Sequence, residues 1–210
     1  MFWQKGYCMK NTKEKLLENA TQMFAEYGFD GVSTRDLVAI SGVNLCTINY
    51  YFGSKQKLYD AVIDKIIMDV KTSFVDRLDY ELENHNMSSL NQLLFAIGSF
   101  FDYVFSDKIS NAMSLITIRE FLMPLSSGNK IYTEILGPLK TRAAKLIMDI
   151  TGWDKTTADI QAHCMVGQIM SFKVHQNAVR YTRNFLQDVK QQILENCKTL
   201  LSDNKLRGIK

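Results

Sequence analysis

The stretch STRDLVAISGVNLCTINYYFGSK, residues 33–55, decides the fold because it holds two helix starts and a tight turn. Ser33 stands three positions before Asp36, and this capping box predicts the start of a short helix. Asn44 is a strong N-cap for a second short helix, and Gly42 lies at the bend between the two. Two short helices joined by a tight turn form the helix-turn-helix arrangement.

The spacing of apolar and polar residues predicts an inward and an outward face. The residues expected to point toward a core are Leu37, Ile40, Val43, Leu45, Ile48 and Phe52. Cys46, Thr47, Asn49 and Tyr50 would then face outward. Short forked polar groups on a helix suit the DNA major groove, where each base pair shows its own pattern of donors and acceptors. Asn49 can bind N6 and N7 of an adenine, Thr47 can contact a base, and Tyr50 can reach a phosphate.

Phosphate contacts are predicted where neighbouring helices begin, because free amide groups and the helix dipole favour anions there. Thr34 and Arg35 open the first short helix, and Lys55 and Lys57 open a longer one. The net charge of +3 is small for a nucleic-acid-binding protein, so charge alone does not indicate DNA. The alternative is that these residues are the solvated faces of ordinary surface helices.

The composition favours an all-α chain with a buried core. Hydrophobic residues make up 46% of the 210 residues, and only two prolines occur, so helix breakers are scarce. The prediction is a three-helix helix-turn-helix domain over residues 9–56 and a second helical domain over residues 57–205. Residues 1–8 are expected to form a loose extension, and a long helix is expected over residues 55–82.

The remaining patterns argue against other classes of protein. The best apolar run, LLFAIGSFF, is far shorter than the roughly 20 residues that cross a bilayer, and no secretion signal is visible, so a cytoplasmic protein is expected. Cys8, Cys46, Cys164 and Cys197 form no C-x-x-C pair, which makes a zinc site unexpected. No G-x-G-x-x-G, P-loop or H-E-x-x-H motif occurs, so we expect neither an enzyme nor a cofactor.

A longer stretch, LLENATQMFAEYGFDGVSTRDLVAISGVNLCTINYYFGSKQKLYDAV, resembles the N-terminal DNA-binding domain of TetR/AcrR-type transcriptional regulators. The likeness covers about residues 13–62 and includes the A-x-x-x-F-x-x-x-G-F pattern and the Y-F-x-S-K ending. It implies an all-α homodimer with an N-terminal helix-turn-helix and a C-terminal domain for ligand binding and dimerisation. The positions that commonly touch DNA in such proteins are here Thr34, Thr47, Tyr50, Tyr51 and Lys55.

Two departures and one closer likeness refine this resemblance. Many members have a small residue at the position of Cys46 and a tyrosine at that of Asn49, so the operator preference does not transfer. The segments IREFLMP (118–124), ILGPLKTRAAKLI (135–147) and MVGQIMSFKVHQNAVRY (165–181) look like the C-terminal domain of one subgroup, the CecR-type regulators.

Two C-terminal helices are expected to form the dimer. The helix over residues 156–179 has a face of small residues that would let another helix approach closely, and the helix over residues 182–202 has an apolar stripe. The predicted interface consists of Cys164, Gly167, Ser171, Phe185, Val189, Ile193 and Cys197. Two such helices from each chain would form a four-helix interface around a two-fold axis. The alternative is that both stripes pack within one protomer.

The middle helices are rich in large, soft side chains that adapt to apolar ligands, with a few polar groups among them. The predicted ligand-binding residues are Phe101, Phe105, Met113, Arg119, Glu120, Met165, Gln168, Phe172 and His175. The function expected is a repressor that binds a palindromic DNA operator as a homodimer and is released by a small, largely apolar effector. The alternatives are a DNA-binding protein without ligand control and a small-molecule-binding protein with a vestigial DNA head.

Overall fold

The computed structural model describes residues 2–107, 109–125 and 129–202, with side chains from Thr12 onward except at residue 177. No β-strand occurs in these ranges, which agrees with the predicted all-α class. The helices are α1 (Phe2–Tyr27), α2 (Thr34–Ser41), α3 (Leu45–Phe52), α4 (Lys55–Val70), α5 (Asp76–Asn84), α6 (Ser89–Val104), α7 (Asn111–Leu122), α8 (Gly137–Thr151), α9 (Lys155–Val179) and α10 (Arg183–Ser202). Two π-helical turns, Lys71–Val75 and Tyr132–Leu136, lie directly before α5 and α8.

The chain divides into two compact units, and the division differs from the predicted domain limits. The first unit comprises residues 1–69 and 110–133, and the second comprises residues 70–109 and 134–210. The helix α7 therefore belongs with the helix-turn-helix, although it follows α6 in the sequence. Met1, the Cys8 side chain and residues 203–205 lie outside the described residues, whereas the backbone of residues 2–8 forms the first turns of α1.

The caps of α2 and α3 form as the sequence predicts. Ser33 Oγ accepts a hydrogen bond from the Asp36 amide at 3.2 Å, and Asp36 Oδ2 accepts one from the Ser33 amide at 2.9 Å. The Ser33 hydroxyl also donates to Asp36 Oδ2, and this bond, together with the one from the Ser33 amide, holds the pKa of Asp36 below its usual value. Asn44 Oδ1 accepts from the Thr47 amide at 2.9 Å. Gly42, with φ of 65°, ends α2 in the left-handed conformation that favours glycine.

The burial of α2 and α3 corrects two of the predicted core residues. Leu37 and Ile48 are completely buried, but Ile40 is 57% exposed and Leu45 is 48% exposed. An eight-residue helix buries a narrow stripe, and in α2 this stripe runs through Leu37 and Ser41. Ile40 lies about 100° away from Ser41 around the helix, on the open side. Leu45 is the first residue of α3, at the end next to the turn.

Two adjacent residues of α7 hold that helix in the first unit. Arg119 Nη1 donates to the Phe24 carbonyl at 2.7 Å, in the last turn of α1, and the same carbonyl accepts from the Gly28 amide at 3.0 Å. Glu120 is completely buried, and its Oε1 accepts from the Tyr59 hydroxyl at 2.8 Å and from the Leu125 amide at 3.1 Å. Burial and the bond to Glu120 raise the pKa of Tyr59. The tyrosine therefore keeps its proton and remains the donor.

The substitution Tyr59→Phe tests this buried hydrogen bond. It removes the hydroxyl donor from the carboxylate of Glu120, so we expect the free energy of unfolding to fall by about 1–3 kcal/mol. Urea unfolding followed by circular dichroism measures the change. The matched control is Tyr50→Phe, because Tyr50 is 72% exposed and should change stability by less than about 0.5 kcal/mol. Equal effects of the two substitutions would contradict the assignment.

Candidate nucleic-acid interface and ligand cavity

The helix α3 presents a polar face while its opposite side is anchored in the core. Ile48 is completely buried and Phe52 is 8% exposed, so these two side chains fix the rotation of the helix. Cys46, Asn49 and Tyr50 are exposed on the other side. Within the described residues the Asn49 amide makes no side-chain hydrogen bond, which leaves its donor and acceptor available to a ligand.

Thr47 and Asn44 are already joined to each other in the cap of α3. Asn44 Oδ1 accepts from the hydroxyl of Thr47 at 2.9 Å as well as from its amide. The hydroxyl proton of Thr47 is therefore used, so the threonine retains its methyl group and oxygen lone pairs for contact with a base. The side-chain N–H groups of Asn44 make no hydrogen bond within the described residues.

Lys55 has a contact that the sequence did not reveal. Its Nζ donates to the carbonyls of Phe29 and Val32, both at 2.9 Å, and lies 4.1 Å from the ring centroid of Phe29. The ammonium thus braces the connection between α1 and α2 from the start of α4. The ammonium of Lys57, two residues later, is exposed and has no partner among the described residues.

The predicted DNA-binding residues lie together in the first unit. They occupy the start of α2, the cap and exposed side of α3, and the start of α4: Thr34, Arg35, Asn44, Cys46, Thr47, Asn49, Tyr50, Tyr51 and Lys55. Arg35 is exposed and Thr34 is half-buried at the N-terminus of α2. The rings of Tyr50 and Tyr51 meet edge to face with centroids 5.1 Å apart. Contact of these residues with DNA stays a prediction.

A cavity with a strongly apolar wall lies in the second unit. The cavity has a free volume of about 60 Å³ and lies among α5, α6, α8, α9 and the two π-helical turns. Its lining includes Phe74, Leu78 and Leu82 on one side and Met165 on another. Arg142 is the one charged residue among the described residues that line it, and its Nη1 is paired with a carboxylate oxygen of Asp79.

The predicted ligand-binding residues are not gathered around this cavity. Met165 lines it, while Phe101, Phe105 and Phe172 belong to the adjoining core, where the rings of Phe101 and Phe105 lie 4.6 Å apart. Gln168 and His175 are exposed. The other three, Met113, Arg119 and Glu120, lie in the first unit.

The two predicted dimerisation helices differ from each other. Cys164, Gly167 and Ser171 lie on an exposed face of α9 that continues to Val174, which is 49% exposed. By contrast, three predicted interface residues of α10 are packed in the core of the second unit: Val189, Ile193 and Cys197. For these three, the alternative of packing within one protomer holds, because the same chain already covers them. Phe185 is 43% exposed and stacks on Tyr181 with centroids 5.0 Å apart.

The described residues offer neither a membrane-spanning helix nor a cluster of metal-binding side chains. None of their helices is long and apolar enough to span a bilayer. They also contain no group of three or more His, Cys, Asp or Glu side chains placed to hold a metal ion.

The capped helices α2 and α3 form a helix-turn-helix, and the family models identify the class as transcriptional regulators. The family model of bacterial regulatory proteins of the tetR family matches residues 16–62, and that of the C-terminal domain of the HTH-type transcriptional dual regulator CecR matches residues 90–208. The chain belongs to the TetR family, with a CecR-type C-terminal domain. Members of this family are regulators, so an enzymatic function is excluded on this ground.

Individual relatives agree with this assignment. The HTH-type transcriptional dual regulator CecR of Shigella flexneri is 25% identical over 210 residues, which cover 95% of this chain and 93% of the relative. A TetR-like transcriptional regulator from Rhodococcus sp. RHA1 has a similar fold, with a TM-score of 0.63 and 16% sequence identity. The match covers 91% of this chain and 96% of that regulator. The structure of AibR in complex with isovaleryl coenzyme A and operator DNA superposes with a TM-score of 0.60 and 10% sequence identity. The match covers 88% of this chain and 97% of AibR.

The two lysines that open α4 allow a structural role to be separated from a DNA contact. Lys55→Met removes two hydrogen bonds to carbonyls, so we expect the free energy of unfolding to fall by about 1–3 kcal/mol. Lys57→Met removes the same charge from an exposed position and should change stability by less than about 0.5 kcal/mol. Thermal or urea unfolding of both variants measures this.

The salt dependence of DNA binding completes the comparison. The logarithm of the DNA-binding constant falls linearly with the logarithm of the salt concentration. If Lys57 contacts a phosphate, Lys57→Met should make this slope less steep by about 1 without changing the sequence preference. A variant Lys55→Met as stable as the parent would contradict the bracing role.

Proposed function

We propose that the protein is a repressor that binds a palindromic DNA operator as a homodimer and is released by a small-molecule effector. The observation that carries this proposal is the exposed side of α3, where the side chains of Asn49 and Tyr50 make no hydrogen bond to any described residue and Ile48 anchors the opposite side in the core. A rigid helix with unbonded donors and acceptors is what direct reading of base edges requires. Such a regulator would work in the cytoplasm, where bacterial DNA lies.

The bases would be read by Asn49 and Thr47. The carboxamide of Asn49 can accept from N6 and donate to N7 of an adenine at the same time, which discriminates against the other three base pairs. Thr47 has its hydroxyl proton bound in the cap, so its methyl group is suited to contact with the methyl of a thymine. Cys46 would lie against the same groove as a small apolar group.

The DNA backbone would be held by the residues around this helix. Arg35 at the start of α2 and Lys57 at the start of α4 provide charge, while Tyr50 provides a hydroxyl group at the end of a long side chain. Thr34 adds a hydroxyl group and Tyr51 lies beside Tyr50. Lys55 would act mainly through the turn that it braces. Such contacts fix the register of the protein on the duplex, whereas sequence preference comes from the bases.

The dimer would form through the exposed face of α9. Cys164, Gly167 and Ser171 are small enough to let the α9 helix of a second copy approach closely, and Val174 adds apolar surface. Phe185 extends this surface at the start of α10. A two-fold dimer places two reading helices about 34 Å apart, or a multiple of this distance, and so fits a palindromic site.

The effector would act through the cavity of the second unit. Phe74 and Leu78, which line it, follow α4 in one helical run that contains the π-helical turn Lys71–Val75. Such turns occur frequently at functional sites, and a ligand that enlarges the cavity would displace this part of the run. The effector releases DNA only if it binds the DNA-incompetent state more tightly. The relative AibR, solved with both an acyl coenzyme A and operator DNA, supports the pairing of these two functions in this fold.

Selection of bound sequences from a random DNA pool tests the proposal. We expect the full-length protein to enrich a two-fold symmetric sequence. Asn49→Ala should then relax preference at one base pair of each half-site, with a loss of about 1–3 kcal/mol per half-site, and Thr47→Ala should affect a neighbouring pair. The salt slope should be unchanged in both variants. The matched control is Asn184→Ala, an exposed asparagine of α10. Recovery of no symmetric sequence would refute the proposal.

A charged substitution on α9 tests the dimer. Gly167→Arg places a large cation on the small-residue face, so we expect a monomer in sedimentation velocity and loss of operator binding. Asn91→Arg places the same side chain on an exposed position of α6 and should leave the dimer intact. A dimer that survives Gly167→Arg would show that another surface forms the contact.

A further inference from the structure

A groove in the second unit lies next to the apolar cavity and differs from it in chemistry. The groove runs between α5, with its preceding π-helical turn, and α6, with the two residues that follow it. Its free volume is about 420 Å³, and ligand sites in proteins typically measure about 300–1,000 Å³. The groove exposes polar as well as apolar atoms, and its polar lining includes Ser73, Arg77, Glu81, Ser99, Asp102 and Ser106.

The groove and the apolar cavity share a wall of aromatic and aliphatic side chains. Phe74 and Leu78 line both spaces. The ring of Phe74 lies 5.8 Å from that of Phe100, which lines the cavity, and 4.9 Å from that of Tyr103, which lines the groove. The two spaces are therefore separated at Phe74 by a single layer of side chains.

We infer that the two spaces form one binding site for an amphiphile, with a short apolar tail in the cavity and a polar head without net charge in the groove. The spaces become continuous when the ring of Phe74 turns out of the wall. This ring belongs to the π-helical turn Lys71–Val75, and such turns occur frequently at functional sites. The inference rests on the proposed ligand response and names the chemistry of its ligand.

The groove suits a head without net charge because the charges of its lining are balanced. Arg77 and Glu81, one turn apart on α5, both line it and carry opposite charges. The carboxylate of Asp102 accepts hydrogen bonds from Lys190 Nζ at both oxygens, at 2.8 and 2.7 Å. Serine hydroxyl groups such as that of Ser99 donate and accept hydrogen bonds, which suits a head that bears hydroxyl groups.

The size of the cavity limits the tail of the ligand. A water-sized group needs roughly 10–15 Å³ of such space, so about 60 Å³ admits roughly four to six groups, enough for a butyl chain. The exposed wall of the cavity is almost wholly apolar, so the tail is held there by the hydrophobic effect. A wholly apolar ligand would leave the groove unused, and a wholly polar one would not enter the cavity.

The experiment compares butyl glucoside with methyl glucoside and 1-butanol by NMR titration of the full-length protein. We expect butyl glucoside to bind at least about tenfold more tightly than either fragment, because one molecule fills both spaces and loses its translational freedom only once. Nuclear Overhauser effects should connect the end of the butyl chain to Leu82 and Val166, which line the cavity alone. The sugar protons should show them to the ring of Phe95, which lines the groove alone.

Two substitutions on α6 test the two ends of the site with the same introduced side chain. Ala96→Leu narrows the cavity, so it should weaken butyl glucoside and 1-butanol about tenfold and leave methyl glucoside within about twofold. Ser99→Leu narrows the groove, so it should weaken both glucosides about tenfold and leave 1-butanol within about twofold. The control Asn91→Leu lies at an exposed position of α6 that lines neither space and should change no affinity.

A third substitution tests the wall between the two spaces. Phe74→Leu removes the ring, so butyl glucoside should associate at least several-fold faster in NMR line-shape analysis. The control Phe95→Leu removes a ring that lines the groove alone and should leave the association rate unchanged. Circular dichroism confirms that each variant is folded.

Butyl glucoside binding no more tightly than its better fragment, no binding of any probe, or equal effects of Ala96→Leu and Ser99→Leu on each probe would overturn the inference. An unchanged association rate in Phe74→Leu would do the same. Operator selection decides the proposed function separately, since it needs no effector. A protein that selects an operator but binds no butyl glucoside remains a regulator with a different ligand, whereas one that selects no DNA fails the proposed function.

Discussion

An eight-residue helix is too short to be stable by itself in water, and this constraint governs the DNA-binding unit. The first turn of a helix is unfavourable to form, and the hydrogen bonds of only two turns do not offset that free-energy cost. The structure meets this cost for α3 with a cap at Asn44 and with burial of Ile48 and Phe52. Since the anchors and the cap fix one side and one end, the remaining side chains of α3 are free to stay polar and exposed. The reading face is thus a consequence of how the helix is stabilised.

The same constraint explains why the unit extends beyond the helix-turn-helix motif. Two short helices need a larger partner surface than they provide for each other. The helix α1 packs against α2, and α7 packs against α1. Arg119 attaches α7 to α1, and the completely buried Glu120 attaches it to α4. A buried carboxylate is costly unless hydrogen-bonded donors surround it. The requirement for the Tyr59 hydroxyl therefore fixes α7 against α4 in one arrangement.

The sequence predicts local features well because their chemistry is local. The capping box at Ser33, the cap at Asn44 and the glycine at residue 42 each involve residues within a few positions of one another, and all three form as predicted. The outward position of Asn49 and Tyr50 follows from helical periodicity alone. The error at Ile40 and Leu45 arises because periodicity does not say how wide the buried stripe of a short helix is.

Contacts between distant residues could not be predicted in this way. The partners of Lys55 are backbone carbonyls, which every residue possesses, so no side-chain pattern marks them. Arg119 and Phe24 are 95 positions apart, and nothing in either residue type points to the other. For this reason the sequence predicts a ligand site for the polar pair on α7, whereas in the structure the pair attaches α7 to α1 and α4.

A polar residue in an otherwise apolar helix does not by itself indicate a ligand site. Glu120 is fully buried and its carboxylate is occupied by protein donors, so binding a ligand there would first require breaking those bonds. Burial of a polar side chain in an apolar helix is therefore a poor guide to a binding site wherever the fold itself supplies the hydrogen-bond partners.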